Sequence, residues 1–575
     1  MKKKFSRIFG IFPLKKESFN LADFVVILFI ISILAIFVEF GKAPPEVIKG
    51  PEIKLSPKYL PFYAGLSTLR MLAAYFLSLI FTFIYGTVAA KNKNWEKILI
   101  PVLDILQSVP LLSFLPITLL FFTKFLPTRM AVELSSIFLL FTCQGWNITF
   151  SWYQSLITVP EEYKEISKIF RFNWWLRFRK IELPFATVNI VWNSMLSWAG
   201  GWFFLMAAEM LSVEGRDFRL PGIGAYLQQS SSTGDIKNIV YGVLFLFGII
   251  LILDQIVWRP LLCWAERFRT GESEEEMRNW FYDILRKSHI SSFINKKIFN
   301  PVIEKIDMFF SRRKNVFYEE EKEKSALSFS KIFLFLIVIS IVSGGVFIAG
   351  RVIKNINFRT WINLLYAGSL TFLRVMGASL IALLWTVPVG VAIGMNKKLA
   401  KSFQPVVQIF ASIPATAFFP VIFFYFLRHN FSNLNLSAII IMLLGSQWYL
   451  LFNVIAGASS IPETLKTTSS LLFLSKKEKW KVLILPAIFP NVVTGLITAT
   501  GGSWNVSIIA EYVHFSAQTY KVKGLGSMIV EATAKGDYNL LFAATLSMII
   551  IVVLINRFVW RKLYDFAEER YRMEF

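Results

Sequence analysis

At Ser197–Met210 the chain reads SWAGGWFFLMAAEM, and at Ala499–Tyr512 it reads ATGGSWNVSIIAEY. Gly200, Trp202, Ala208 and Glu209 of the first stretch recur 302 residues later as Gly502, Trp504, Ala510 and Glu511. Each copy is an apolar run suited to lipid, interrupted by a glycine pair, Gly200-Gly201 or Gly501-Gly502, and ended by a carboxylate. One such run would be one more hydrophobic segment. Two in register, with the odd features preserved, indicate a duplicated unit.

The register extends outward from these stretches. A shift of 304 carries Arg70 to Arg374, Gly86 to Gly390, Pro101 to Pro405, Pro110 to Pro414 and Pro116 to Pro420. After a two-residue deletion the shift is 302, carrying Trp146 to Trp448, Pro160 to Pro462, Leu183-Pro184 to Leu485-Pro486, Gly224 to Gly526 and Trp258-Arg259 to Trp560-Arg561. Chance similarity between apolar segments does not hold one register over Gly, Pro, Trp and charged positions together.

The composition sets the class. Of 575 residues, 55% are hydrophobic and 17% charged, with 57 Phe and 17 Trp, a balance that rules out an ordinary soluble fold. Apolar runs near 21–40, 64–90, 99–123, 131–156, 186–208 and 237–258 predict six helices, and runs near 331–350, 366–393, 402–427, 436–458, 488–510 and 539–560 predict six more. Runs of about 20 residues cross a hydrocarbon core of about 30 Å. The expected fold is therefore an all-α, multi-pass membrane protein of about twelve helices embedded in the lipid bilayer.

Net charge is +23. The Lys and Arg residues are dispersed over loops, which argues against a nucleic-acid partner and for topology, since cytoplasmic loops collect them. With the basic amino terminus inside, Lys91, Lys93, Lys97, Lys164, Lys168, Arg171, Arg177, Arg179 and Lys180 all fall on the cytoplasmic side. The amino-terminal run lacks a cleavage signature, so it reads as a retained first helix. Six helices per unit is even, so both termini are expected in the cytoplasm and the repeats run parallel, related by an axis along the membrane normal. The organisation expected is one repeat over 1–260, a polar cytoplasmic linker over 261–330, and a second repeat over 331–575.

The most informative loops lie on the cytoplasmic side after the fourth helix of each unit: VPEEYKEISKIFRFNWWLRFRKIELP (159–184) and IPETLKTTSSLLFLSKKEKWKVLILP (461–486). Their length, helical pattern and closing Leu-Pro resemble the coupling loop of ATP-binding-cassette importer permeases. In that family a Pro is followed by Glu-Ala-Ala, then Gly, then Leu-Pro at set intervals. The intervals place Glu165, Ile166 and Ser167 on Glu-Ala-Ala, Arg171 on the Gly, and Pro184 on the final proline. In the second copy Thr467, Thr468 and Ser469 stand for Glu-Ala-Ala, Phe473 for the Gly, and Pro486 closes the loop. These loops depart from the pattern at the glycine in both copies and at Glu-Ala-Ala in the second. The Arg near the start of the second helix, Arg70 or Arg374, and the Gly-rich fifth helix ending in Ala-Glu look most like the nitrate, sulfonate, taurine and bicarbonate branch, in its duplicated form.

That resemblance implies an inner-membrane permease whose one chain supplies both membrane halves, served by two cytoplasmic ATP-binding-cassette ATPase subunits and an extracytoplasmic solute-binding protein. ATP would be bound by the partners. No G-x-x-x-x-G-K-[ST] loop occurs here, so no nucleotide cradle is expected in this chain, nor any catalytic or metal site. A twelve-helix secondary transporter is the competing reading. The long Leu-Pro loops and the shortage of ionisable residues deep in the helices count against it.

Two candidate regions remain. Gly200, Gly201, Trp202, Gly501, Gly502 and Trp504, with Ser108, Pro110, Ser412 and Pro414 of the third helices, are candidates for the pathway. Glycines serve equally for close helix packing or for widening a path, and the prolines equally for a packing kink or a freed carbonyl. At the outer mouth, Glu209 and Glu511 are candidates for contact with a docked binding protein or for pairing with Arg70 and Arg374, a salt bridge being favoured over direct binding of solute, and the two arginines are also candidate attractors for an anion.

Overall fold

The computed structural model describes residues 52–108, 110–210, 212–213, 216–268, 279–288, 297, 300–311, 343–418, 422, 425, 434–515 and 518–571, with isolated positions between 28 and 36. The predicted helices at 21–40 and 331–350 fall mostly outside the described residues.

The first repeat comprises α1 (Leu60–Lys91), α2 (Lys93–Ser108), α3 (Leu115–Phe125), α4 (Thr128–Thr158), α5 (Glu161–Ile169), α6 (Leu183–Glu209), α7 (Ile223–Thr233) and α8 (Ile236–Leu253). Two linker helices follow, α9 (Trp280–Lys287) and α10 (Asn300–Ser311). The second repeat is α11 (Phe358–Gly394), α12 (Lys397–Ser412), α13 (Leu434–Ser459), α14 (Glu463–Leu471), α15 (Leu485–Ala510), α16 (Leu525–Lys535) and α17 (Tyr538–Ile555). Among the described residues six helical stretches are long and apolar enough to cross a membrane: Pro57–Lys91, Ile236–Phe268, Phe358–Gly394, Leu434–Ser459, Lys476–Ala510 and Tyr538–Ala567. Between them run α4 and α6, helices of 31 and 27 residues.

Helix α1 shows how the solvent shapes the pattern. Its buried face is small and polar, Ala64, Ser67, Arg70, Ala74, Ser78, Thr82 and Gly86, at helical spacing. Its exposed face is Leu69, Phe76, Ile80 and Ile84. A water-soluble helix would be the reverse; in lipid the apolar face turns outward and small residues bring backbones together. Gly86 demonstrates the closeness, since a Cβ there would meet the Trp152 ring at 2.7 Å, and Gly390 repeats the device against Val454 at 2.6 Å. Helix α4 packs between α1 and α6, and α13 between α11 and α15.

The predicted third helix, 99–123, is not one span. Helix α2 stops at Ser108, Pro110 adopts φ −63° and ψ 105° at the head of a 3-10 turn over Leu111–Phe114, and α3 begins with Pro116 in its first turn. Proline offers no backbone donor and its ring disfavours helical geometry in the preceding residue, whereas a first-turn proline loses nothing. In the second repeat α12 ends at Ser412, and Ile413, before Pro414, is extended.

Two small hairpins add strands that the helical pattern does not predict: β1 (Ser212–Val213) with β2 (Arg216–Asp217), and β3 (Tyr512–Phe515) with β4 (Gln518–Lys521), both antiparallel. The repeats interlock reciprocally here, with α7 against β3 and α16 against β1. Each of α7 and α16 ends on a left-handed glycine, Gly234 at φ 71° and Gly536 at φ 68°, a conformation in which a Cβ is strained.

Candidate functional site

Glu209, the last residue of α6, is fully buried. Its Oε1 accepts from Ser67 Oγ at 2.6 Å and Arg70 Nη1 at 2.8 Å, and its Oε2 accepts from the Gly224 backbone N–H at 2.8 Å. Arg70 continues to Glu133 through two parallel bonds of 2.6 and 2.7 Å and donates to the Pro221 carbonyl at 3.0 Å. Ser67 in turn accepts from the Ile223 N–H at 3.1 Å. Helix α7 has no side-chain cap of its own, so a carboxylate from α6 and a hydroxyl from α1 satisfy its first donors and complement its dipole.

The second repeat builds the same node. Glu511 Oε1 accepts from Arg374 Nη1 at 2.6 Å and Thr371 Oγ1 at 2.8 Å, its Oε2 accepts from the Gly526 N–H at 2.9 Å, and Thr371 accepts from the Leu525 N–H at 3.0 Å. Arg374 reaches Asn435 where Arg70 reaches Glu133, so the first node carries one negative charge more. The glycines before α7 and α16 are required by proximity rather than by φ. A Cβ on Gly222 would stand 2.2 Å from the Glu209 carboxylate, and one on Gly524 stands 2.1 Å from that of Glu511. The four residues expected at the outer mouth are thus joined in two ion pairs; the glycines stand out in the sequence only as matched positions of the repeat, and Ser67, Thr371 and Glu133 carry no signal, because their role exists only once α7 and α16 fold back.

The glycine pairs divide their work. A Cβ on Gly201 would meet Met71 at 2.8 Å and Gln144 at 3.0 Å, which is close helix packing. Gly501 has nothing within 4 Å of that position, and Gly200 has only the Tyr449 hydroxyl, at 3.7 Å. Gly502 faces the Tyr449 ring at 3.3 Å. Trp202 and Trp504 lie on these helices but are buried in the core and line no open space. Pro110 and Pro414 are buried as well; the side chains of Ser108 and Ser412 lie outside the described residues.

On the opposite face, α5 and α14 occupy the two long loops. Glu165 and Ile166 are exposed and Ser167 buried, its hydroxyl donating to the Lys164 carbonyl at 2.7 Å. Thr467 and Thr468 are exposed and Ser469 buried, donating to the Lys466 carbonyl at 2.7 Å. Each helix closes with crossed backbone bonds, Phe172 N to Ser167 O and Arg171 N to Lys168 O in one, Leu474 N to Ser469 O and Phe473 N to Ser470 O in the other. This closure needs a left-handed residue, usually glycine, after the helix. Here Arg171 at φ 50° and Phe473 at φ 49° fill it, the non-glycine residues with positive φ among those described. Two residues other than glycine thus adopt the turn that glycine usually fills.

The loop tips present Ile169 and Phe170 in one copy and Leu471, Leu472 and Phe473 in the other to the surface, Phe473 being 93% exposed. Behind them each chain enters the next helix through a π-helical turn, Phe178–Glu182 or Trp480–Ile484, with Pro184 and Pro486 in the first turn that follows. Glu182, buried, holds the first loop to the end of α1 by pairing with Lys91 and Arg177 at 3.0 Å each. Its counterpart is Ile484, so this tie belongs to one repeat.

The model of the family described as "Binding-protein-dependent transport system inner membrane component" matches the chain twice, at 82–257 and 386–561. Among similar proteins, the nitrate import permease protein NrtB of Synechococcus elongatus is 30% identical over 165 residues, 28% of this chain and 55% of that protein. The bicarbonate transport system permease protein CmpB of the same organism is 27% identical over 186 residues, 32% of this chain and 63% of its own length. The taurine transport system permease protein TauC of Escherichia coli is 27% identical over 166 residues, 29% of this chain and 56% of its own. The chain thus spans somewhat over half the length of these relatives.

Proposed function

Since this chain belongs to the family of binding-protein-dependent transport system inner membrane components, we propose that it is the permease of an ATP-driven importer in which one polypeptide forms both walls of the path. The two repeats, 1–260 and 331–575, face each other across the membrane normal, and 261–330 connects them in the cytoplasm, where both termini also lie. Two ATP-binding-cassette ATPase subunits dock on α5 and α14, and a solute-binding protein docks on the face that carries the hairpins. The solute is a small anion of the kind named for the similar proteins, nitrate, bicarbonate or a sulfonate such as taurine. ATP is bound by the partners, and this chain contributes no cofactor and no chemistry of its own.

The observation that carries this reading is the pair of loops with one backbone geometry and two apolar tips. An exposed Ile169-Phe170 or Leu471-Leu472-Phe473 in a cytoplasmic loop is unfavourable in water and calls for a protein surface to cover it. A short helix closed by a fixed turn and rooted by a continuous helical entry transmits a push without absorbing it. The test is reconstitution: the chain with its ATPase and binding protein in liposomes, offered nitrate, bicarbonate and taurine in turn. ATP-dependent uptake of one of them is expected. Full-rate uptake without the ATPase, driven by an ion gradient, overturns the proposal in favour of a secondary transporter.

A further inference from the structure

One side chain connects the two repeats where the glycine pairs leave room. Tyr449 of α13 lies with its ring against Gly502 and its hydroxyl against Gly200, so it bridges α15 of its own repeat and α6 of the other. Its counterpart, 302 residues earlier, is Asn147, which instead donates to Ser197 Oγ at 3.1 Å within the first repeat. The bridging is therefore a one-sided feature that the duplication does not impose.

Tyr449 combines two properties seldom found together. It lies between helices of both repeats, near Cys143 of α4, yet it is 43% exposed. A side chain set between two repeats and still exposed lines the space between them. Its hydroxyl has no hydrogen-bond partner among the described residues, although a phenolic O–H inside a protein ordinarily finds one. The wall beside it is open at Gly501, and one turn on, the Asn505 side-chain oxygen is buried and unpaired. No Lys or Arg stands between Leu183 and Glu209 in α6 or between Leu485 and Ala510 in α15, so neutral dipoles are what these two helices offer a solute.

We propose that Tyr449 is the gate of the path between the repeats, its ring closing the gap between Gly200 and Gly502 and its free hydroxyl donating to the anion as the ring swings aside. The inference rests on the permease reading above. A neutral donor suits transit, because it reads negative charge without the deep well that a guanidinium would create. Gly200 and Gly502 are small here because any larger side chain would occupy the volume that the ring sweeps.

The experiment uses the full chain in liposomes, on a Cys263→Ser background that leaves Cys143 as the single thiol. In Tyr449→Ala, nitrate is expected to leak without ATP, and a hydrophilic methanethiosulfonate is expected to modify Cys143 about tenfold faster, the change that opening a rarely populated state gives. Tyr449→Phe keeps the ring, so leak and labelling stay at the parent level while ATP-driven nitrate uptake by the complete transporter falls several-fold. Leak and labelling in Tyr449→Ala equal to the parent, with the variant monodisperse, overturn the gate. Parental uptake by Tyr449→Phe overturns the role of the hydroxyl. The leak and labelling measurements need no ATPase, so they remain decisive even if ATP-driven uptake is not found.

Discussion

Arg171 and Phe473, 302 residues apart, hold the same left-handed backbone conformation, at φ 50° and 49°. Neither residue type favours it; an L-residue there crowds its Cβ against the following carbonyl at a cost of about 1–2 kcal/mol. The turn is therefore dictated by the helix closures before it and the π turns after it. Arg171→Gly and Phe473→Gly should each raise thermal stability in detergent, and Arg171→Val should lower it. A fall in midpoint for both glycine variants would show that the side chains, not the turn, hold the loops.

The node at Glu209 is expected to be intolerant of losing one partner. Arg70→Ala strands the buried Glu209 carboxylate, at about 3–5 kcal/mol, while Glu209→Ala leaves Arg70 its two bonds to Glu133 and should cost less, as should Arg70→Met with Glu209→Met. Gly222→Ala should resemble Glu209→Ala, because its Cβ would fall 2.2 Å from the carboxylate. Fluorescence-detected unfolding of the four variants checks the order, and a double variant worse than both singles contradicts it.

Docking on the ATPase should depend on the apolar tips. Ile169→Ser with Phe170→Ser, or Leu471→Ser with Leu472→Ser, removes side chains each worth about 1.5–3 kcal/mol when buried. Pull-down of the ATPase should weaken in both variants, with folding and membrane insertion unchanged. Undiminished binding by both would remove the loops from the interface.

Linker helix α10 is tied to the first loop. Asn173 caps Trp174–Arg177 through Leu176 N at 2.8 Å and also donates to the Phe310 carbonyl of α10 at 3.1 Å, while Trp175 Nε1 donates to Asp307 at 2.9 Å and stacks on Phe310 at 4.9 Å. Asn173→Ala should lose about 1 kcal/mol of capping and release α10, seen as faster proteolytic cleavage in the linker. In the second loop Ser475 forms a local capping box with Glu478, so Ser475→Ala should leave linker cleavage unchanged. Equal cleavage in both variants and the parent would show that α10 is held elsewhere.

Much of the architecture was legible because the bilayer simplifies the code. Backbone groups in lipid must bond within their own segment, so a long apolar run is a helix whatever its partners. The repeat made each assignment testable against a second copy, and the loops were found by spacing. The break at Pro110 was readable in kind but not in degree, since proline marks a disturbance without saying whether the helix bends or stops. The two hairpins carry no apolar periodicity and were invisible.

Sequence by itself determined the duplication, the helical class and the place of the two long loops, and it offered Arg70 as a partner for Glu209 and Arg374 for Glu511, because each follows from local pattern or from charge that lipid disfavours standing alone. Only the tertiary structure decided which glycine of each pair packs and which faces open space, why Gly222 and Gly524 must lack a side chain, and where Tyr449 points. Those are distances between segments hundreds of residues apart, and they exist only after the helices have chosen their neighbours.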